Sequence, residues 1–273
     1  MNTETITELK EKARAVRLGI IDALGIDKRG HLGGSLSCAD IVTALYFHKM
    51  RHDPHNRFMA NRDRFIMSKG HSVLAQYAAR AEARYVAKET LHKTGTLGCF
   101  LQGHPERETP GIEANTGSLG QGLSIGVGMA LGGRLDKLDY HTWVVLGDGE
   151  LAEGQVWEAA TSAAAFKLDT LTAIVDMNGI QAVGRTRDRY DLGDIRGKFA
   201  AFGWKTFEID GHKMEEIVPA LDEAAAVRGV PTVIVARTVK GKGVSFAENT
   251  HAYHNNLLTK ELQEQARREI RAM

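Results

Sequence analysis

The chain has 273 residues, 43% hydrophobic and 25% charged, which allows a substantial core and excludes a disordered composition. Its 35 basic and 34 acidic residues leave a net charge of +1, so no global field draws it to nucleic acid or an anionic membrane. Two cysteines, Cys38 and Cys99, a polar start without a signal-peptide core and no apolar run of membrane-spanning length point to the cytoplasm.

Leu9, Ala13, Val16, Ile20 and Leu24 recur at helical spacing and predict a helix over 6–24, capped by Thr3 or Thr7. Glycines in 25–34 break it. A second apolar helix is expected over 37–50, with Asp40 in its first turn. Residues 64–68 read as a short buried strand and 72–85 as a helix. Residues 95–120 lack periodicity, and a long irregular segment in a compact chain is usually functional or mobile. A small-residue helix follows over 121–134.

From there strands and helices alternate. Strand 142–146 leads to a crossover over 150–169, expected to be one helix with its core at 155–166. Strand 171–176, a polar loop, helix 194–202, strand 205–209, helix 214–227 and strand 232–238 follow. A charged helix over 259–273 closes the sequence. The alternation predicts an α/β fold, a doubly wound and mostly parallel sheet with helices on both faces, as one domain over 1–273.

Asp148 sits in Gly147-Asp148-Gly149, directly after the apolar run Trp143-Val144-Val145-Leu146. Asn178-Gly179 likewise follows a second apolar run, Ala173-Ile174-Val175. One Asp-Gly is an ordinary turn signal. Two hard oxygen ligands at successive strand ends, beside glycines that admit a phosphate, suit a divalent cation bridging a diphosphate. The Ile180 carbonyl could add a third protein oxygen.

The chain resembles the transketolase family. Gly147-Asp148-Gly149 with Asn178 is similar to its thiamine-diphosphate signature. The likeness extends over Gly30-His31-Leu32-Gly33-Gly34, Arg62-Asp63-Arg64-Phe65, Ser68-Lys69-Gly70-His71 and Gly103-His104-Pro105-Glu106. It continues through Thr116-Gly117-Ser118-Leu119-Gly120-Gln121-Gly122, Gly147 to Glu153 and Lys240-Gly241-Lys242-Gly243, nearly the whole chain in the family's order.

The resemblance implies thiamine diphosphate as cofactor with Mg²⁺, or Ca²⁺ or Mn²⁺, held by Asp148, Asn178 and Ile180. It implies that His31 and His104 bind the sugar's hydroxyl and carbonyl oxygens. His71 and a late histidine, His254 with His251 as the alternative, are expected near the diphosphate. Gly117 and Leu119 are expected against the cofactor's rings, and Gly149 beside the cofactor. Glu153 is expected at a dimer interface, touching the cofactor site and the partner's catalytic glutamate. Ser118 and Leu32 stand where many family members carry proline.

Two other patterns carry less. His48, His52 and His55 straddle a helix end and Pro54 without a carboxylate or cysteine set to complete a metal site. Gly117 to Gly122 lacks the preceding strand and the spacing of a dinucleotide loop.

Full-length family members carry a second domain that supplies the glutamate that activates the cofactor's aminopyrimidine, and much of the phosphate-end recognition. Nothing in this chain resembles it. The sequence therefore implies the N-terminal subunit of a split transketolase, active with a C-terminal partner as two of each subunit, moving a two-carbon ketol unit between sugar phosphates. The competing readings are another thiamine enzyme, of the 1-deoxyxylulose-5-phosphate synthase or 2-oxo-acid dehydrogenase kind, and a non-catalytic interaction protein.

Overall fold

The computed structural model describes residues 3–273. Its strands are β1 (Arg64–Met67), β2 (Thr142–Gly147), β3 (Leu171–Met177), β4 (Ile180–Gln181), β5 (Gly184–Arg185), β6 (Lys205–Asp210) and β7 (Thr232–Arg237). Five of them form one all-parallel sheet in the order β1-β2-β3-β7-β6, and β4 with β5 makes a small antiparallel hairpin. The helices are α1 (Thr3–Leu24), α2 (Leu32–Ser37), α3 (Ala39–Ala44), α4 (Val73–Glu82), α5 (Gln121–Leu135), α6 (Gly154–Ala165), α7 (Thr186–Arg189), α8 (Ile195–Ala201), α9 (Met214–Ala226) and α10 (Lys260–Arg271).

The central strands are continuous apolar runs because both of their faces are covered. In β2, Trp143 and Val145 pack into one core, and Val144 and Leu146 into the other. The first core also takes side chains from α1 to α4, α9 and α10. The second takes them from α5, α6 and α8. The chain steps outward from β2 to β3 to β6 over α6 and α8, then back to β7 over α9 on the opposite face. Right-handed crossovers require that switch of face when the direction reverses. The doubly wound expectation holds, and all five strands end at the same edge.

Three local expectations are corrected. The second helix begins at Leu32, and Gly33 and Gly34 lie inside it. These glycines serve close approach: a Cβ on Gly34 would fall 2.6 Å from Ser72 Oγ, and one on Gly33 would lie 3.0 Å from Lys240 Cγ. This segment breaks at Cys38 and ends in a π turn over Leu45–Lys49. The crossover after β2 is not one helix. A 3-10 turn over Gly149–Ala152 precedes α6, and Glu153 between them is extended. The polar loop after β3 contains β4, β5 and α7, which are too short to leave a periodic signal. Residues 95–120 hold no regular helix or strand, as expected.

Candidate functional site

The register places Gly147 of β2 opposite Asp176 of β3, so Asp148 and Asn178 each emerge just beyond a strand end. A cavity of about 330 Å³ opens there, within the usual range for small-molecule sites. Asp148 is 4% exposed. Its carboxylate accepts from Gly149 N at 2.9 Å, Gly179 N at 2.7 Å and Thr186 Oγ1 at 3.2 Å. Gly179 turns the chain back toward it with φ +75°, a conformation that favours glycine. Burial, then the charge of Asp176, raises the Asp148 pKa above the usual carboxylate range, a shift that a cation at this oxygen would reverse.

Asn178 Oδ1 accepts from Ile180 N at 3.1 Å and retains a second lone pair. The Ile180 carbonyl accepts from Lys240 Nζ at 2.8 Å, so this oxygen already faces a cation. Below this layer Asp176 is fully buried. It receives hydrogen bonds from Ser37 and Thr238 hydroxyls, the Lys69 ammonium and Asn178 Nδ2. It thereby ties the ends of β1, β3 and β7 to α2. The Asp176–Lys69 pair depresses the carboxyl and raises the ammonium despite burial. Glu150 joins three more segments, accepting from Ser68 Oγ, Gly120 N at 2.9 Å and Gly147 N at 3.0 Å.

Four histidines line the same cavity and cluster together. The His31 ring centroid lies 5.1 Å from that of His71, 6.1 Å from His104 and 5.3 Å from His254, and His71 is 5.1 Å from His254. Burial is the main cause holding His31 down at about 4 and His254 at about 3; His71 is lowered further still. These three imidazoles are therefore neutral near pH 7 and can each donate one hydrogen bond and accept another. Among the described residues no group of three or more His, Cys, Asp or Glu side chains is placed to hold a metal, so the cluster is not a metal cage. The oxygens of Asp148, Asn178 and Ile180 line the same cavity and form the hard, sparse donor set that suits Mg²⁺ with phosphate oxygens.

Residues 9–271 match the family model described as transketolase, thiamine diphosphate binding domain. The chain belongs to the transketolase family. It is 42% identical over 270 residues to an apulose-4-phosphate transketolase subunit of Phocaeicola vulgatus, covering 99% of this chain and 95% of that one. A 6-deoxy-6-sulfo-D-fructose transketolase subunit from Clostridium sp. is 42% identical over 261 residues, with 95% of each covered. Human transketolase is 36% identical, but this chain spans only 42% of its length. The crystal structure of the Campylobacter jejuni transketolase superposes with a TM-score of 0.89 at 30% identity, covering 99% of this chain and 43% of that one.

Against the transketolase expectations, the structure gathers His31, His71, His104, Gly117, Leu119, Asp148, Gly149, Asn178, Ile180 and His254 around one cavity. Gly117 packs where a Cβ would lie 2.7 Å from His104 Cδ2. Of the two late histidines, His254 lines the cavity and bonds Lys240, while His251 is exposed. Glu153 is exposed and is not part of the lining. His48 pairs with Asp222, and His52 bonds the Tyr46 carbonyl and Tyr85 hydroxyl, so they share no centre. The sequence reading misses Lys69, Asp176 and Lys240 as site residues. Lys240 lies beside the three oxygens, its ammonium lowered to about 8, chiefly by burial and then by Lys69. The Lys-Gly-Lys-Gly run stands out as a motif, but only the sheet order shows that its first lysine points at the Ile180 carbonyl.

Proposed function

We propose that this chain is the cofactor-holding half of a two-chain transketolase. It transfers a two-carbon ketol unit from a ketose phosphate to an aldose acceptor once a partner supplies the pyrimidine-side carboxylate. The observation that carries this reading is the single cavity in which residues from 31 to 254 bring together three hard oxygens and four histidines. The two-chain arrangement is supported by relatives named as subunits, whose length this chain nearly matches. Two copies of each subunit complete the assembly in this reading. A cytoplasmic location belongs to the same reading and rests on the two free cysteines.

Thiamine diphosphate, when bound, supplies the electron sink that two-carbon transfer requires. The chain's own residues do the rest of what falls to this half of the site. Asp148, Asn178 and the Ile180 carbonyl would hold the divalent cation. Lys240, His71 and His254 would donate to the phosphate oxygens. Leu119 and Gly117 would bear on the cofactor's ring system. His31 and His104 hold the sugar's hydroxyl and carbonyl oxygens. His31, as a neutral imidazole, donates or accepts there without placing a second charge beside the cofactor. Glu153, exposed just before α6, is available to the partner.

Reconstitution tests the reading. The purified chain alone should show negligible ketol transfer with cofactor and Mg²⁺, and adding the partner should restore it. Full activity from the chain alone rules out the two-chain assignment.

A further inference from the structure

A second cavity, of about 380 Å³, is lined in part by His31, His71 and His104. Lys28, Arg29 and Asn255 line it as well. No carboxylate lines it. Among the described residues that line it, Lys28 and Arg29 are the lysine and arginine side chains. Lys28 is half-buried, its ammonium tethered by two long bonds of 3.4 Å to the carbonyls of His92 and Thr94. Arg29 is exposed, and its side chain has no hydrogen-bond or ion-pair partner among the described residues.

Among the described residues, neither cation is paired with an acid. They sit on the turn between α1 and α2, immediately before Gly30-His31. The segment that carries a sugar-facing histidine thus also carries two unpaired cations into the same space. A guanidinium fork matches the paired oxygens of a phosphate, and an ammonium adds a point charge.

We propose that Lys28 and Arg29 form an anion subsite that takes the phosphate of the ketose donor at the end remote from the cofactor. This deepens the transketolase reading and rests on it. The sugar's reacting end would lie at His31 and His104, and its anionic end would run outward to Arg29, with Lys28 as the inner contact. This chain then contributes to choosing the donor, in addition to holding the cofactor. A donor bearing another strong anion in place of phosphate would be read by the same pair.

The test uses the reconstituted enzyme and compares fructose 6-phosphate with fructose as donors for wild type, Arg29→Ala, Arg29→Lys and Lys28→Met. Removing one charge-assisted contact should lower kcat/KM for the phosphorylated donor by about tenfold to a hundredfold more than for the neutral one. The change should fall mainly on KM, with Arg29→Lys intermediate. Equal losses on both donors overturn the subsite, as does no loss on either. A binding arm is independent of turnover: fructose 6-phosphate titrated into the cofactor-loaded complex should bind more weakly to Arg29→Ala by the same factor. If wild type binds the phosphate ester tightly but transfers nothing, the ketol-transfer reading fails and the binding arm still decides the subsite.

Discussion

On the sheet side of the cavity each acidic group is held by several others. Asp148 has two backbone amides and a hydroxyl, Asp176 has four donors and Glu150 has three. On the histidine side, the imidazoles of His31, His71 and His104 have no hydrogen-bond partner among the described residues, and His254 has only Lys240. The first side is cross-braced before any ligand arrives, which suits an anchor that must fix a cation to within fractions of an ångström. His31 and His104 leave their donors and acceptors unspent, which suits groups that must bond to a changing sugar. The cost is that several half-buried imidazoles are kept uncharged.

The sharpest way to break this contrast is Asp148→Ala. It removes the one carboxylate among the three proposed metal ligands. Metal-dependent cofactor binding by the reconstituted complex should disappear in calorimetry, and ketol transfer with it. Retained binding with Mg²⁺ would mean that the braced side is not the anchor. On the histidine side, His104→Ala and His31→Ala should leave cofactor affinity within a fewfold of wild type while lowering kcat/KM by about a hundredfold to ten-thousandfold, the usual range for a positioned acid–base group. A loss of cofactor affinity as large as the loss of activity would merge the two sides into one.

The bracing itself is tested by stability. Asp176→Asn leaves the Lys69 ammonium buried without its carboxylate, at a cost of about 3–5 kcal/mol. For a chain of this size that lowers the thermal midpoint by about 10 °C. Adding Lys69→Met should recover much of the loss, because the pair repays little beyond its own desolvation. A drop of only a degree or two for Asp176→Asn would show that the braced layer is not rigid.

The two sides also differ in how far the sequence discloses them. Asp148 and Asn178 are legible because strand, acid or amide, and glycine lie together in a few residues. The alternation of strands and helices carries the doubly wound sheet in the same way. Sheet order is not legible, and with it go Lys240 and Asp176, whose roles depend on β7 lying beside β3. Lys69 stands within a motif, but its partner is hidden for the same reason. Gly33 and Gly34 mislead, since glycine breaks a helix by its own propensity but is required where another side chain presses on the axis. The histidines come from the family resemblance. No periodicity marks them, because they sit on four separate loops or short turns.

The histidines also set a pH dependence. His31 at about 4, His254 at about 3 and the interior His141 at about 3 all lie below the value of 6.5 that they regain on unfolding. Between those values the unfolded chain binds more protons than the folded one, so stability rises with pH there. The contribution of these three is therefore complete above about pH 7, erodes as pH falls through 6.5, and is exhausted only near pH 3–4, while His71, lowered further, extends it below that. Thermal midpoints of the ligand-free chain should be level from about pH 7 to 7.5 and fall steadily from about pH 6.5 to 5. His31→Gln keeps a polar side chain at that position but cannot take up the proton, so its slope over that range should be shallower than that of wild type. An identical slope would mean that the cluster is already hydrated and charged at about pH 5, and that its neutrality is not built into the fold.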